Sequence, residues 1–425
     1  MVIWSIIFLV INGIVKGSSF LAVMFLAATL DKFQFANFGL IYTLQTLVST
    51  FASVGVAEQT IGKLKKFSGL KRRHVCYLRA TGMFCFLATM TSIAALGMVI
   101  GGTLKEEIIP ASCAIFLGVT YAYISLQSGF QRIEEMHFKS TITSAAIPLI
   151  GTVGLICGGY YEKSLVGAFL YSSVGVFVSL FMFMVGGYLP CGQLARPNKL
   201  LSDLKEVAPY AATGLLGWLA GYGMNAVIGS ILSMEDVAQY TFLLTASSVI
   251  QMVATSMNMV WGPKFYALYN QGQLHKALSG SLLFYRVMTL VLTIVSLSTL
   301  IFFPKVVLLS NQNLNVFGGL QTELSYLLMG YLFQIPWWCV QNYFYVNARG
   351  RDLFNLTMLS GISGITLWII VIIYMGSDGI YIGFLINILV KSCIYSYFAW
   401  VQWQVVVPWA TVFLSCLSLA VYVKF

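Results

Sequence analysis

Apolar residues run along this chain in blocks of about twenty, separated by short polar turns, rather than in the one-sided stripes of a soluble helix. At roughly 1.5 Å per residue, each block is long enough to cross a hydrocarbon core of about 30 Å. The blocks predict spans near 3–29, 37–60, 77–101, 109–130, 141–160, 164–188, 207–232, 237–262, 280–303, 323–346, 353–375 and 379–401, with 405–423 as a candidate thirteenth. The alternating ten-residue segments of an outer-membrane barrel are not seen. The expected fold is an all-α polytopic membrane protein of about 12 helices. The first block, VIWSIIFLVINGIVKGSSFLAVMFLAAT (2–29), lacks a basic leader and contains Lys16, so it reads as a span and not as a cleavable signal.

Composition narrows the class further. Of 425 residues, 59% are hydrophobic and 9% charged, with a mean hydropathy of +0.84, more apolar surface than a soluble domain of this size can bury. The eight cysteines form no CxxC pair and no Cys/His cluster, so they read as small core residues and neither as disulfides nor as a metal site. No loop is long enough for a soluble domain and no GxxxxGK[ST] occurs, so neither ATP hydrolysis nor a cofactor is expected.

The net charge of +10 would suggest nucleic acid in a soluble protein, but here its distribution carries the meaning. Seventeen of the 24 Lys and Arg fall in the even-numbered gaps between spans, KLKKFSGLKRRH (63–74) being the densest cluster. By the positive-inside rule those gaps and the N-terminus face the cytoplasm, and the cluster suits anionic lipid headgroups. Membrane lipids are therefore expected partners and nucleic acid is not.

A weak internal repeat divides the chain. LDKFQFANFGLIYT (30–43) aligns with LSMEDVAQYTFLLT (232–245), and Glu162…Val166-Gly167 echoes Asp378…Ile382-Gly383. The offsets predict two six-helix lobes, 1–190 and 191–402, with 403–425 as an added hydrophobic segment. An even number of spans per half makes the repeat parallel, with a pseudo-two-fold axis and a central cavity between lobes.

These residues carry a resemblance. LDKFQFANFGLIYTLQTLVSTFASVGVAEQTI, with Leu30, Phe38, Gly39 and Gly55 in place, resembles the opening of Wzx-type O-antigen and polysaccharide flippases of the multidrug/oligosaccharidyl-lipid/polysaccharide exporter superfamily. GSILSMEDVAQYTFLLTASSVIQMVATSMNMVWGPKFYALY, with Tyr240, Trp261 and Pro263, is similar to the family's seventh-to-eighth span region, and MGSDGIYIGFLI (375–386) to its last turn. One departure is that many relatives carry an Asp-Arg pair late in span seven, where Asn225 and Ala226 stand here. The resemblance implies translocation of an undecaprenyl-pyrophosphate-linked glycan across a bacterial inner membrane by alternating access, alongside other polysaccharide assembly proteins, without bond breaking.

Such a transporter needs cations for the pyrophosphate and hydrogen-bonding or aromatic groups for the sugars. Lys16 and Lys391 sit mid-span, where an ammonium costs at least ~2.5 kcal/mol unless it faces protein or water. Asn12, Lys16 and Ser19 share a helix face, as do Asn387 and Lys391. A lysine at such a site is either a point charge for phosphate or a packing device. Arg286 meets the headgroup or snorkels to the interface. Gln251, Thr255 and Asn258, then Thr43, Thr46 and Thr50, and Asn225 either line the cavity or join helices. Gln334, Trp337, Trp338, Gln341 and Asn342 suit carbohydrate faces, with Pro336 predicted to kink their helix. All 14 carboxylates lie in loops or at span ends, and Glu58, the deepest, is either a coupling residue or a partner of the Lys63–Lys66 cluster. Two alternatives fit less well. A cation-drug exporter of the same superfamily conflicts with mid-span lysines. A membrane-embedded polymerase or glycosyltransferase needs a large extracytoplasmic loop, and His74, His137 and His275 fall on the cytoplasmic side.

Overall fold

The computed structural model describes residues 2–64, 70–102, 104–134, 136–189, 200–310, 317, 319–346 and 350–424; within its helices the side chains of Asn12, Lys16 and Glu58 lie outside the described residues. Every apolar block of the sequence falls on helix, and no strand occurs among the described residues. Contacts divide the chain into two compact units, Met1–Ala226 and Val227–Phe425. The first contains α1 (Val2–Thr29), α2 (Lys32–Leu64), α3 (Leu70–Gly101), a 3-10 turn (Lys105–Glu107), α4 (Ile108–Ile133), α5 (His137–Glu162), α6 (Leu165–Val185) and α7 (Leu200–Leu219). The short α8 (Met224–Ile231) runs across the boundary. The second contains α9 (Met234–Asn270), α10 (Leu274–Ser310), α11 (Gln321–Phe333), α12 (Ile335–Val346), α13 (Gly350–Met375), α14 (Ser377–Trp403) and α15 (Trp409–Lys424). By length and composition, eight helices among the described residues are able to cross a membrane, and nine if α7 and α8 form one bent span. The 190/191 boundary counts spans in a repeat, whereas the contact boundary follows packing, which joins α7 to α2 and α3.

Besides an apolar core, the helices carry exposed apolar faces that a soluble protein would bury. On α6 the buried face sets the small residues Gly167, Ala168, Ser172, Ser173 and Ser179 beside Leu165, Phe169 and Val176, while Val174, Phe177, Phe181 and Val185 are exposed, Val185 by 74%. Water would expel that apolar face; hydrocarbon accepts it, and small residues then let helices approach closely. The α5–α6 pair shows the consequence. Ser172 Oγ donates to Gly151 O at 2.8 Å across the contact. A Cβ on Gly154 would lie 2.6 Å from Ser172 Cα, and one on Gly158 would collide with the Gly167 carbonyl. Replacing Gly154 with Val is therefore expected to wedge α5 from α6 and cost about 1–3 kcal/mol. A lowered unfolding midpoint in detergent checks this, with Gly97→Ala, which meets nothing within 4 Å, as the neutral control.

Two predicted spans are broken, the seventh without warning from its pattern and the tenth where Pro336 predicts a kink. The seventh turns through 41° between Leu219 and Met224. A Cβ on Gly223 would stand 2.7 Å from Leu219 Cα and 2.9 Å from the Trp218 ring, so the turn requires glycine there. The tenth breaks at Gln334 because Pro336 has no N–H to continue the ladder. Ser392 Oγ of α14 donates to the Phe333 carbonyl at 2.5 Å. The last block forms α15, which at 16 residues spans about 24 Å, and it packs on α10 and α11.

The repeat echoes fall at equivalent places within each unit. Asp31 Oδ1 accepts from Gln34 N at the start of α2, and Ser233 with Asp236 forms a capping box at the start of α9. Gly167 sits in the α5–α6 contact and Gly383, against Trp368, in the α13–α14 contact.

Candidate functional site

Within the first unit, α1, α2, α4 and α5 surround a cavity of about 210 Å³. Helix α2 supplies Phe38, Tyr42, Gln45, Thr46 and Ser49, a stripe at spacings of three and four residues. Ser19 comes from α1, Tyr121 from α4, and Pro148 and Thr152 from α5. Ser19 Oγ and Thr152 Oγ1 are 3.5 Å apart. The Tyr42 ring stacks on Phe38 at 5.6 Å, and the Tyr121 hydroxyl lies over Gly151, where any side chain would displace it. None of the lining residues is charged. Gln45 is 6% exposed, and its Oε1 has no hydrogen-bond partner.

The neighbouring polar residues of α2 have a different use. Thr43 Oγ1 shares its one proton between Gly39 O at 2.8 Å and Tyr222 O at 2.9 Å. Trp218 Nε1 donates to Thr43 O and Thr46 Oγ1, both at 3.2 Å. Asn225, fully buried, donates through Nδ2 to Thr43 Oγ1 at 3.0 Å and Gly39 O at 3.3 Å. These bonds tie the α7–α8 turn to α2, and the one from Thr43 satisfies the Tyr222 carbonyl that the break exposes, a task that any broken helix in lipid imposes.

In the second unit a polar network joins three helices. Tyr285 Oη of α10 donates to Asn258 Oδ1 of α9 at 2.7 Å and approaches Trp338 O at 2.9 Å. Asn342 of α12 donates to Tyr285 Oη at 2.8 Å and Asn258 Oδ1 at 3.1 Å, and it accepts from Tyr266 at 3.2 Å. Beside α12, Lys391 stands one residue past the midpoint of α14, partly buried, its Nζ 5.1 Å from the Trp337 ring centre. No carboxylate pairs with it among the described residues. One turn earlier, Asn387 is 2% exposed, with Nδ2 unpartnered and Oδ1 packed into the space left by Gly364 of α13.

Of the residues singled out in the sequence, Asn258 and Asn342 meet in one network, and Asn387 and Lys391 share a face of α14. Ser19 and Thr46 line the first-unit cavity, whereas Thr43 and Asn225 support the helix break. Gln251 and Arg286 are exposed, and Gln334 and Gln341 are half-buried at the α11–α12 break and on α12. Asn12, Lys16 and Glu58 lie outside the described residues. Sequence reasoning missed Tyr42, Gln45, Ser49, Tyr121 and Tyr285. The 42-45-46-49 spacing was a visible signal for the first three; nothing in the sequence links Tyr121 or Tyr285 to these partners.

Residues 4–269 match the family described as polysaccharide biosynthesis protein. Among solved structures, a multidrug resistance MATE family transporter of the MOP superfamily, inward-facing, matches with a TM-score of 0.69 at 15% identity, over 94% of this chain and 98% of that one. The lipid II flippase MurJ, inward closed, matches with a TM-score of 0.63 at 10% identity, over 98% and 91%. A eukaryotic MATE transporter matches with a TM-score of 0.60 at 12% identity, over 98% and 95%. A comparison with curated proteins found no match. At these identities the structural likeness establishes the fold alone, a multi-helical membrane architecture shared with these proteins.

Proposed function

We propose, since this chain belongs to the polysaccharide biosynthesis protein family, that it flips a polyprenyl-pyrophosphate-linked oligosaccharide from the cytoplasmic to the outer leaflet of a bacterial inner membrane. The lipid is undecaprenyl, the glycan an O-antigen or related surface unit, and the N-terminus is cytoplasmic. The observation that carries this reading is Lys391: a mid-span ammonium with no described carboxylate to neutralise it. A cation at that depth is costly unless it has a use, and attracting a pyrophosphate is one. The cation-drug alternative would place a positive substrate beside it.

Flipping makes and breaks no covalent bond. Lys391, together with Lys16 of α1, attracts the headgroup, while amides and aromatic rings hold the sugars and the polyprenyl tail stays in lipid. Trp337 holds the Lys391 ammonium by its ring face, a contact worth about 0.5–2 kcal/mol that an anion exchanges for a stronger charge-assisted bond. The two lobes of the repeat expose the site alternately to each leaflet. Other polysaccharide assembly proteins receive the glycan on the far side. Deleting the gene in its host and analysing surface polysaccharide tests the proposal. Loss of surface glycan with accumulation of its lipid-linked precursor is expected, and unchanged surface polysaccharide would overturn it.

A further inference from the structure

The break in the tenth span divides it between different neighbours. Its α11 half is fastened to α14: Ser392 Oγ donates to the Phe333 carbonyl, and a Cβ on Gly330 would stand 2.6 Å from the Phe384 ring. Its α12 half is fastened to α9 and α10 through Asn342, and by Tyr285 Oη, which approaches the Trp338 carbonyl at 2.9 Å. With α14, α12 meets through rings, Trp337 on Tyr395 at 4.0 Å between centres and Phe344 on Phe398 at 5.5 Å. Ring contacts shift at low cost because dispersion has little direction, whereas hydrogen bonds hold one geometry. Trp337 directly follows Pro336, so it stands in the first turn of the half that the break sets free. The ammonium 5.1 Å from its ring belongs to Lys391, the residue just before Ser392, which pins the other half.

We infer that Trp337 is a latch: its contact with Lys391 holds α12 against α14 until an anion occupies the ammonium, and α12 then moves about the break. The inference rests on the anion reading of Lys391 above and adds to it the element that responds to the anion. The coupling is electrostatic. A ring attracts a cation through its quadrupole, and an ammonium paired with phosphate offers that quadrupole little net charge, from whichever side the phosphate approaches. The anion therefore prefers the unlatched arrangement, and a ligand shifts an equilibrium only through such a preference. Trp337 is thus a positioning residue whose effects on binding and transport have opposite signs. Without it, the anion should bind about 3- to 10-fold more tightly, since no contact has to be given up first. Transport should slow, because the protein with and without the anion then shares one arrangement.

The test uses the full-length chain in lipid nanodiscs, with inorganic pyrophosphate as the probe. Equilibrium binding of labelled pyrophosphate reports affinity, and backbone hydrogen exchange over 337–346 reports the motion of α12, with 353–375 of α13 as reference. In the wild type, pyrophosphate should raise exchange in α12 and leave α13 unchanged. In Trp337→Leu, affinity should rise about 3- to 10-fold and exchange in α12 should be high before pyrophosphate is added. Flipping of a polyprenyl-pyrophosphate glycan in proteoliposomes should slow in the same variant. Trp337→Phe keeps a ring that holds cations less well and should fall between the two. Loss of a residue that only packs would leave binding unchanged or weaker; that result in both variants overturns the inference, as does wild-type binding that leaves exchange in α12 unchanged. Pyrophosphate that fails to bind the wild type, or binds Lys391→Met equally well, removes the inference together with the anion reading. Binding and exchange as expected, without flipping of the glycolipid, would instead leave the latch standing and remove the flippase reading.

Discussion

Lys391→Ala is expected to slow glycolipid flipping by about 10- to 100-fold while folding and membrane abundance stay near wild type. The kinetic loss follows from removing a charge-assisted contact to phosphate, worth about 1.5–3 kcal/mol. Stability changes little because two terms oppose each other. The variant gives up the cation–π contact with Trp337, and it is relieved of an ammonium held mid-span. Lys391→Arg keeps the charge and should keep much of the rate, since phosphate needs a cation there more than a particular geometry. Lys391→Met keeps length without charge and should behave as the alanine variant does. Flipping of labelled lipid-linked glycan in proteoliposomes, with a fluorescence assay of folded protein, reads both quantities. Full transport by Lys391→Ala would return this lysine to a packing role against Trp337.

The largest stability effect should come from Asn342→Ala. That side chain makes three of the bonds joining α9, α10 and α12, to Asn258, Tyr285 and Tyr266. Hydrogen bonds between membrane helices average about 0.6 kcal/mol, so the bonds alone account for roughly 2 kcal/mol. The residue is 2% exposed, and truncation also opens a void, bringing the expected loss to about 3 kcal/mol. The measurement is an unfolding midpoint for Asn342→Ala, Asn258→Ala and the double variant. Because Asn258 and Asn342 share Tyr285, the double variant should cost less than the sum of the singles. Strict additivity would mean that the three side chains do not act as one network.

The helical fold was legible because lipid imposes a simple rule: a span is a run of about twenty apolar residues, whatever it packs against. The two breaks were less legible. Pro336 announces one of them, because a missing N–H is a local property. The turn at 220–223 carries two glycines, Gly221 and Gly223, but in membrane helices glycine also serves close packing, as Gly154 and Gly158 do. Polar residues posed the same difficulty. Thr43, Thr46 and Thr50 looked like one lining stripe, yet a shift of the helix face by one residue, about 100°, puts Thr43 against the broken helix and Gln45 on the cavity.

The amino-acid sequence by itself determined the solvent, the helices, the bias of Lys and Arg toward alternate gaps and the presence of a lysine at mid-span, because hydropathy and helical rise are properties of the chain read in order. Only the tertiary structure decided which polar groups are already satisfied. Asn225 and Asn258 have protein partners, and Gln45 Oε1 and Asn387 Nδ2 have none. Hydrogen bonds are short and directional, and those partners lie on helices far away in the chain, so no spacing along one helix reveals them. For the same reason Lys391 is a mid-span charge in the sequence, and only the packing of α12 against α14 places Trp337 beneath it.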